Sequence, residues 1–281
     1  MARKRWLVIS IRPSGQADTS ALAEGLLALG GSAVHEEADA LISYLPPPVD
    51  LDQWLEQARA QLGHEFEWRW QEDEDWAESW KRGLQPRRIG RHFVVAPSWT
   101  TPAPRAGDRV IIIDPEMAFG TGEHATTRGA LRFLEQCITP DSRVLDVGTG
   151  SAILAIGAAK CGAEHVLAVE YDEDAIINAR DNIVRNGVAE IVELQTALVD
   201  EAFLRARGAH AFDVIAANVL SGVLLPLLPS FHQALQPDGH LILGGILESE
   251  ADDMIDAAQN AGFKLRAEDL EDEWWGGWFQ R

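Results

Sequence analysis

The spacing of hydrophobic positions changes along this chain, and the changes divide it. Residues 1–70 switch between period two and period 3.6 in the order β-α-β-β-α-β. Trp6-Leu-Val-Ile-Ser-Ile11 is strand-like, and apolar residues from Thr19 to Leu29 recur at helical spacing up to Gly30-Gly31. Two short strands are expected near Ser32–His35 and Ala40–Tyr44, split by the polar Glu36-Glu37-Ala38-Asp39. Pro46-Pro47-Pro48 makes a stop, Asp50 can cap a helix to about Leu62, and Glu65–Trp70 is the last strand. This order predicts a small ferredoxin-like α+β domain, two helices on an antiparallel sheet.

Residues 71–85 have the spacing of a polar linker helix, with Trp76 and Trp80 four apart on one face and suited to packing on a neighbouring domain. From residue 86 to 281 a second domain is expected. It opens with strand-like runs at Arg91–Val95 and Arg109–Ile113, which flank a Pro-rich loop containing Pro97-Ser98-Trp99. Strands then alternate with helices: Val144–Val147, helix Ala152–Cys161, His165–Glu170, helix Asp174–Asn186, Ile191–Thr196 and Phe212–Ala217. A helix from about Leu220 to Leu235, strand His240–Leu243 and helix Glu248–Ala261 follow, then strands near Phe263–Ala267 and Glu273–Phe279. Such alternation predicts an α/β fold, a mostly parallel sheet covered on both faces and closed by an antiparallel edge hairpin.

Composition narrows the partners. A formal net charge of -20 over 281 residues argues against an extended nucleic-acid surface and suits a basic protein partner. The acidic runs Glu72–Asp75 and Glu268–Glu273 read as solvated faces or turns. Cys137 and Cys161 lack metal-ligand spacing and read as small helix residues. No apolar run reaches membrane length and the N-terminus has no secretory pattern, so a cytoplasmic protein is expected.

The candidate chemistry lies at strand ends. Val144-Leu-Asp146-Val-Gly148-Thr-Gly150 is a strand running into a glycine turn that opens a helix, where bare backbone can approach a nucleotide-like cofactor. The third glycine of a dinucleotide fingerprint is absent, its place taken by Ile153. Glu170 ends the next strand and can accept two hydrogen bonds from a ribose diol; the alternative is a solvated strand-end acid. Asn218 ends the strand Phe212–Ala217 beside the same crevice, facing either a ligand or an incoming amine, or else capping the next helix. Gly120 and Phe119 belong to a loop that would lie over this crevice, and His124 on it is more readily structural than basic. Thr126 or Thr127 can cap the helix that follows, to about Glu135.

Asp146-x-Gly148-x-Gly150, Glu170 and Asn218 together resemble a class I S-adenosylmethionine-dependent methyltransferase. Phe119-Gly-Thr-Gly-Glu-His124-Ala-Thr-Thr127 is more specific and resembles the loop of the PrmA family, the ribosomal protein L11 methyltransferases. Further likeness runs through Asp75-Trp76-Ala-Glu-Ser-Trp80-Lys81, Val95–Trp99, Asp172-x-x-Ala175, Arg180-Asp-Asn182, Arg185-Asn-Gly187 and Gly244-Gly-Ile-Leu247. Five departures stand out: Glu123 and Ala125 for the usual Thr and Pro, Ala152 for a further glycine, Glu170 for Asp, and Val219 for Ile. The resemblance implies a Rossmann-like seven-stranded sheet and an N-terminal substrate-recognition domain. It also implies S-adenosylmethionine as cofactor, held by Thr127, Gly148, Glu170 and Asn218 with Gly150, Phe119 and Gly120 added. Asn218 would be the catalytic residue, no metal would be needed, and the substrate would be lysine or N-terminal amines of the basic ribosomal protein L11.

Two other functions compete. A base- or small-amine methyltransferase is one, but Asn218-Val219-Leu220-Ser221 lacks the prolines and aromatic ring that hold a flipped base. The other is a non-catalytic cofactor-binding assembly factor, against which the intact loop, Glu170 and Asn218 weigh.

Overall fold

The computed structural model describes residues 5–13, 19–30, 34–37, 40–72, 84–114, 120 and 122–281. The chain divides into two compact units, Met1–Gly83 and Leu84–Arg281.

In the first unit, strands β1 (Arg5–Ile11), β2 (Val34–Glu37), β3 (Ala40–Leu45) and β4 (Glu67–Glu72) form a sheet in the order β2-β3-β1-β4. All three pairings are antiparallel. Helices α1 (Thr19–Ala28) and α2 (Leu51–Leu62) complete the ferredoxin-like order. Leu7, Ile9 and Ile11 alternate toward a core that includes Leu22, Leu26, Ala58 and Leu62 of the helices. Asp50 caps α2 as its spacing predicts, its carboxylate accepting from the Gln53 N–H at 3.1 Å. The last strand runs two residues past its expected end, so residues 71 and 72 are strand where the linker helix was to begin. Residues 73–83, with Trp76, Trp80 and most of that helix, lie outside the described residues, as does the linker half of the likeness.

The second unit opens with a three-stranded sheet of β5 (Arg87–Ile89), β6 (Phe93–Ala96) and β7 (Arg109–Ile112). β5 is too short and too basic for its periodicity to announce it. The main sheet has seven strands: β8 (Arg143–Val147), β9 (His165–Glu170), β10 (Val192–Thr196), β11 (Phe212–Asn218), β12 (Leu235–Leu247), β13 (Lys264–Glu271) and β14 (Trp274–Gln280). Their order is β10-β9-β8-β11-β12-β14-β13, so the expected terminal hairpin closes the sheet with its second strand innermost. β14 is antiparallel to both neighbours, and the other pairings are parallel.

Helices α3 (Ala125–Cys137), α4 (Ile153–Cys161), α5 (Glu173–Arg185), α6 (Glu201–Arg207), α7 (Ser221–Ala234) and α8 (Ala251–Asn260) cover the two faces. The seven-residue α6 was not expected from the pattern. Alternate strand residues feed two cores: Val144, Val166, Val214 and Ile242 on one face, Leu145, Leu167, Ile215 and Leu241 on the other. α4 is buried along nearly its whole length, in keeping with its almost uninterrupted apolar sequence. Cys137 and Cys161 are free, and burial pushes their thiols up to about 12 and about 11.

The acidic run near the C-terminus is solvated at Glu268 and in the turn Asp272-Glu273, but Asp269 and Glu271 between them are half-buried in ion pairs. Asp269 on β13 takes a two-pronged contact from Arg132, at 2.7 and 2.5 Å, while Glu271 accepts from Arg128 and Arg132 at 2.6 and 2.7 Å. These pairs hold the hairpin on α3 and depress the Glu271 carboxyl to about 2. A Cβ on Gly129, between the two arginines, would stand 3.1 Å from the Asp269 carboxylate, so any side chain there would push that carboxylate back by a few tenths of an ångström.

Candidate active site

Strand order reverses at β8, which lies between β9 and β11, and a ligand crevice belongs at the carboxyl ends of such strands. A cleft of about 610 Å³ lies there, lined by Gly148, Gly150, Glu170 and Asn218 among the residues singled out above. Gly148 has φ +65°, and a Cβ on it would meet the Val219 side chain at 2.6 Å. The turn therefore has two reasons to be glycine. Ala152 is also left-handed, at φ +67°, which explains why a glycine is usual there. Its methyl is fully buried in the core, against a backbone penalty of about 1 kcal/mol.

Glu170 is 7% exposed, so it is no solvated strand-end acid. Its Oε1 accepts from the backbone N–H groups of Tyr171 and Asp172 at 2.9 and 3.1 Å, and its Oε2 from Gly150 at 3.0 Å. A carboxylate offers about four lone-pair directions. One, on Oε2, stays open for a ligand hydroxyl, where the sequence suggested two. Beneath the turn, Asp146 is 1% exposed and accepts from the Thr149 hydroxyl at 2.5 Å and the Ala155 N–H at 3.0 Å, both on Oδ2. Its Oδ1 is buried without a partner. Burial, eased by those two hydrogen bonds and reinforced by nearby Glu170, pushes the Asp146 carboxyl up to about 6.

Asn218 does not cap α7, whose N-cap is Leu220. Its Nδ2 reaches the Thr127 hydroxyl at 3.4 Å and its Oδ1 is buried with no partner. Thr127 is fully buried and lies behind Asn218 instead of lining the cleft. Neither threonine caps α3: His124 occupies the cap position, without a side-chain cap bond, and both threonines lie inside the helix. Gly120 touches the turn through its carbonyl, which accepts from the Ser151 hydroxyl at 2.6 Å. Phe119 lies outside the described residues.

The cleft has walls that the sequence reading did not assign. Trp274 lines it and packs edge-on against His124, ring centroids 4.7 Å apart, with Thr126, Tyr171 and Gly245 nearby. The His124 Nδ1 is 2.8 Å from the Thr126 hydroxyl, and burial, then Arg128, lowers its pKa. The one available signal for Trp274 was an aromatic cluster interrupted by two glycines, Trp274-Trp-Gly-Gly-Trp278. Asn182, noted only for its likeness, proves to be a fully buried junction. It donates to the Ser151 carbonyl at 3.1 Å and accepts from the Asp114 N–H at 3.2 Å and from Arg185 at 2.7 Å. Among the described residues no group of His, Cys, Asp and Glu is arranged to hold a metal ion, and no helix is long and apolar enough to cross a membrane.

Comparison with known proteins agrees with this geometry. A family model described as Ribosomal protein L11 methyltransferase (PrmA) matches residues 16–281. Proteins named ribosomal protein L11 methyltransferase from Symbiobacterium thermophilum and Geobacter sulfurreducens are 42% and 44% identical over 193 and 203 residues. Those alignments take in 69% and 72% of this chain but 61% and 64% of the relatives, so the chain spans just under two thirds of their length. One from Streptococcus equi subsp. zooepidemicus is 35% identical over 257 residues, covering 85% of this chain and 78% of the relative. The crystal structure of a ribosomal protein L11 methylase from Lactobacillus delbrueckii subsp. bulgaricus superposes with a TM-score of 0.61 at 31% identity, over 69% of this chain and 96% of that one. The seven-stranded sheet is thus the Rossmann-like sheet of class I methyltransferases. The chain belongs to the Ribosomal protein L11 methyltransferase (PrmA) family.

Proposed function

We propose that this chain transfers methyl groups from S-adenosylmethionine to amino groups of ribosomal protein L11, lysine ε-amines, the N-terminal α-amine or both. The observation that carries the reading is the convergence of a glycine turn, a buried acid and Asn218 on one cleft at the strand ends.

The residues fit the cofactor. Gly148 and Gly150 present bare backbone, Glu170 keeps one acceptor position for a ribose hydroxyl, and Val219 and Leu220 give the cleft an apolar wall. When bound, S-adenosylmethionine supplies an electrophilic methyl group on a sulfonium. Everything else falls to the protein. An amine attacks only through a free lone pair, and a lysine with its ordinary pKa of about 10.4 is mostly protonated at neutral pH. Entry into a partly apolar cleft favours the neutral form. Asn218, on the lining of the cleft, orients the amine toward the methyl group, while Thr127 holds the Nδ2 end of its carboxamide. The His124 ring, its pKa lowered, stays neutral and adds no positive charge beside the incoming amine. The released proton leaves through the open cleft to water, with no covalent intermediate on the enzyme.

The N-terminal unit would select the substrate by presenting the target amine. The net charge of -20 would speed encounter with a basic ribosomal protein. The test incubates the purified chain and its Asn218→Ala variant with labelled S-adenosylmethionine and ribosomal protein L11, reading intact and peptide masses. Mass gains in one-methyl steps, slowed about 100-fold or more in the variant, are expected. No gain with the wild-type chain, cofactor binding being intact, would sink the substrate assignment.

A further inference from the structure

Two residues of β12 stand opposite one residue of β14. Leu243 pairs with Gly277 and Ile246 with Trp275, so Gly244 and Gly245 together face Gly276. This is a β-bulge, a device that re-aims side chains beside active sites. Its position is not arbitrary, because Gly244 is also the β11 partner of Asn218.

Resting on the methyl-transfer reading above, we infer that the Gly244–Gly245 bulge is the positioning device for Asn218, forming the socket that sets the direction of its carboxamide. A Cβ on Gly244 would stand 2.8 Å from Asn218 Oδ1 and 3.4 Å from its Cγ. The carboxamide oxygen therefore occupies the space a side chain at 244 would take, and Thr127 fixes the Nδ2 end. Gly245 secures the following peptide. At φ +79°, its Cβ would lie 2.6, 2.9 and 3.1 Å from the Val219 oxygen, carbonyl carbon and nitrogen. The slip also changes which residues of β14 come level with the strand end: beyond it, Leu247 pairs with Trp274, the residue that lines the cleft. One bulge thus serves both the carboxamide and the indole wall.

A double-mutant cycle tests this, using Gly244→Ala, Asn218→Ala and the pair, with methyl-transfer rate, S-adenosylhomocysteine affinity and thermal unfolding as readouts. Gly244→Ala alone is expected to slow transfer by about 100-fold, because the carboxamide is displaced, while S-adenosylhomocysteine affinity changes little. In the Asn218→Ala background the same alanine meets no carboxamide and shifts neither rate nor unfolding temperature. Gly245→Ala should slow transfer as well. Gly187→Ala, with a similar φ of +67° but nothing within 4 Å, carries the backbone strain alone and keeps the wild-type rate. A Gly244→Ala variant with the wild-type rate, or an equal unfolding shift in both backgrounds, overturns the socket. A wild-type chain that methylates nothing instead refutes the functional reading, and the unfolding cycle then still decides whether the carboxamide occupies the socket.

Discussion

Asp146, one residue before the end of β8, and Glu170, which ends the neighbouring parallel strand β9, are both buried, and the fold treats them in opposite ways. Glu170 receives three backbone N–H groups shared between its two oxygens. Asp146 receives two donors on one oxygen and none on the other, and its carboxyl is pushed up to about 6. The difference comes from place. Glu170 sits where the chain turns outward and frees its N–H groups, whereas Asp146 lies beneath the glycine turn, with the first turn of α4 as its backbone donor. Position along a strand end, more than residue type, decides whether a buried acid is stabilised or strained.

Removing the well-served acid should have the largest effect. Glu170→Ala leaves three N–H groups without their acceptor and is expected to lower stability by about 4 kcal/mol, with most S-adenosylhomocysteine affinity lost. Urea unfolding with and without that ligand measures both, and a change under about 1 kcal/mol would erase the contrast between the two acids. Asp146→Asn probes the strained one. Because the folded carboxyl titrates near 6 and the unfolded one near 3.8, the wild type loses stability as pH rises between those values. Relative to the asparagine variant, that loss should total about 3 kcal/mol and level off above pH 6. Unfolding curves for both proteins from pH 4 to 8 would show it, and a pH-independent difference would mean that Asp146 is not strained. Glu170→Gln refines the picture, since an amide keeps one oxygen for Tyr171 and Asp172 but turns an NH₂ toward Gly150. A penalty of about 1.5 kcal/mol, well below that of alanine, is expected in the same assay. The smallest effect belongs to an acid nearer the surface: Asp269→Asn should cost about 0.5–1 kcal/mol and shrink further in high salt. A larger, salt-insensitive loss would place Asp269 with the buried pair.

Much of this was legible in the chain. The strand expected over His165–Glu170 has those bounds, because a buried parallel strand is a continuous apolar run ended by its acid. The glycine turn and Asn218 were found for the same reason, a polar or bare residue ending an apolar strand. What escaped depends on distant partners. The hold on Glu170 comes partly from Gly150, twenty residues earlier in sequence. The Glu268–Glu273 run is indistinguishable from a solvated turn until Arg128 and Arg132 are brought across the fold to meet it. Thr126 and Thr127 have good cap chemistry, but the cap of α3 falls two residues before Thr126, at His124, which places one hydroxyl beside that ring and the other behind Asn218. Trp274 could not be assigned a side of the sheet, since a bulge on a neighbouring strand shifts the pairing.

The strand order β12-β14-β13 has a consequence for the sequence of events in folding. β13 emerges from synthesis before β14 yet has its place in the sheet only beside it. The two are joined by Asp272-Glu273 alone, with Asp272 at φ +56°, a connection that lets the pair form as a local hairpin within microseconds. That hairpin must then dock as a unit on β12, bringing Trp274, Trp275 and Trp278 together with the carboxylates that meet α3. Closing the sheet and completing the cleft wall are therefore one event.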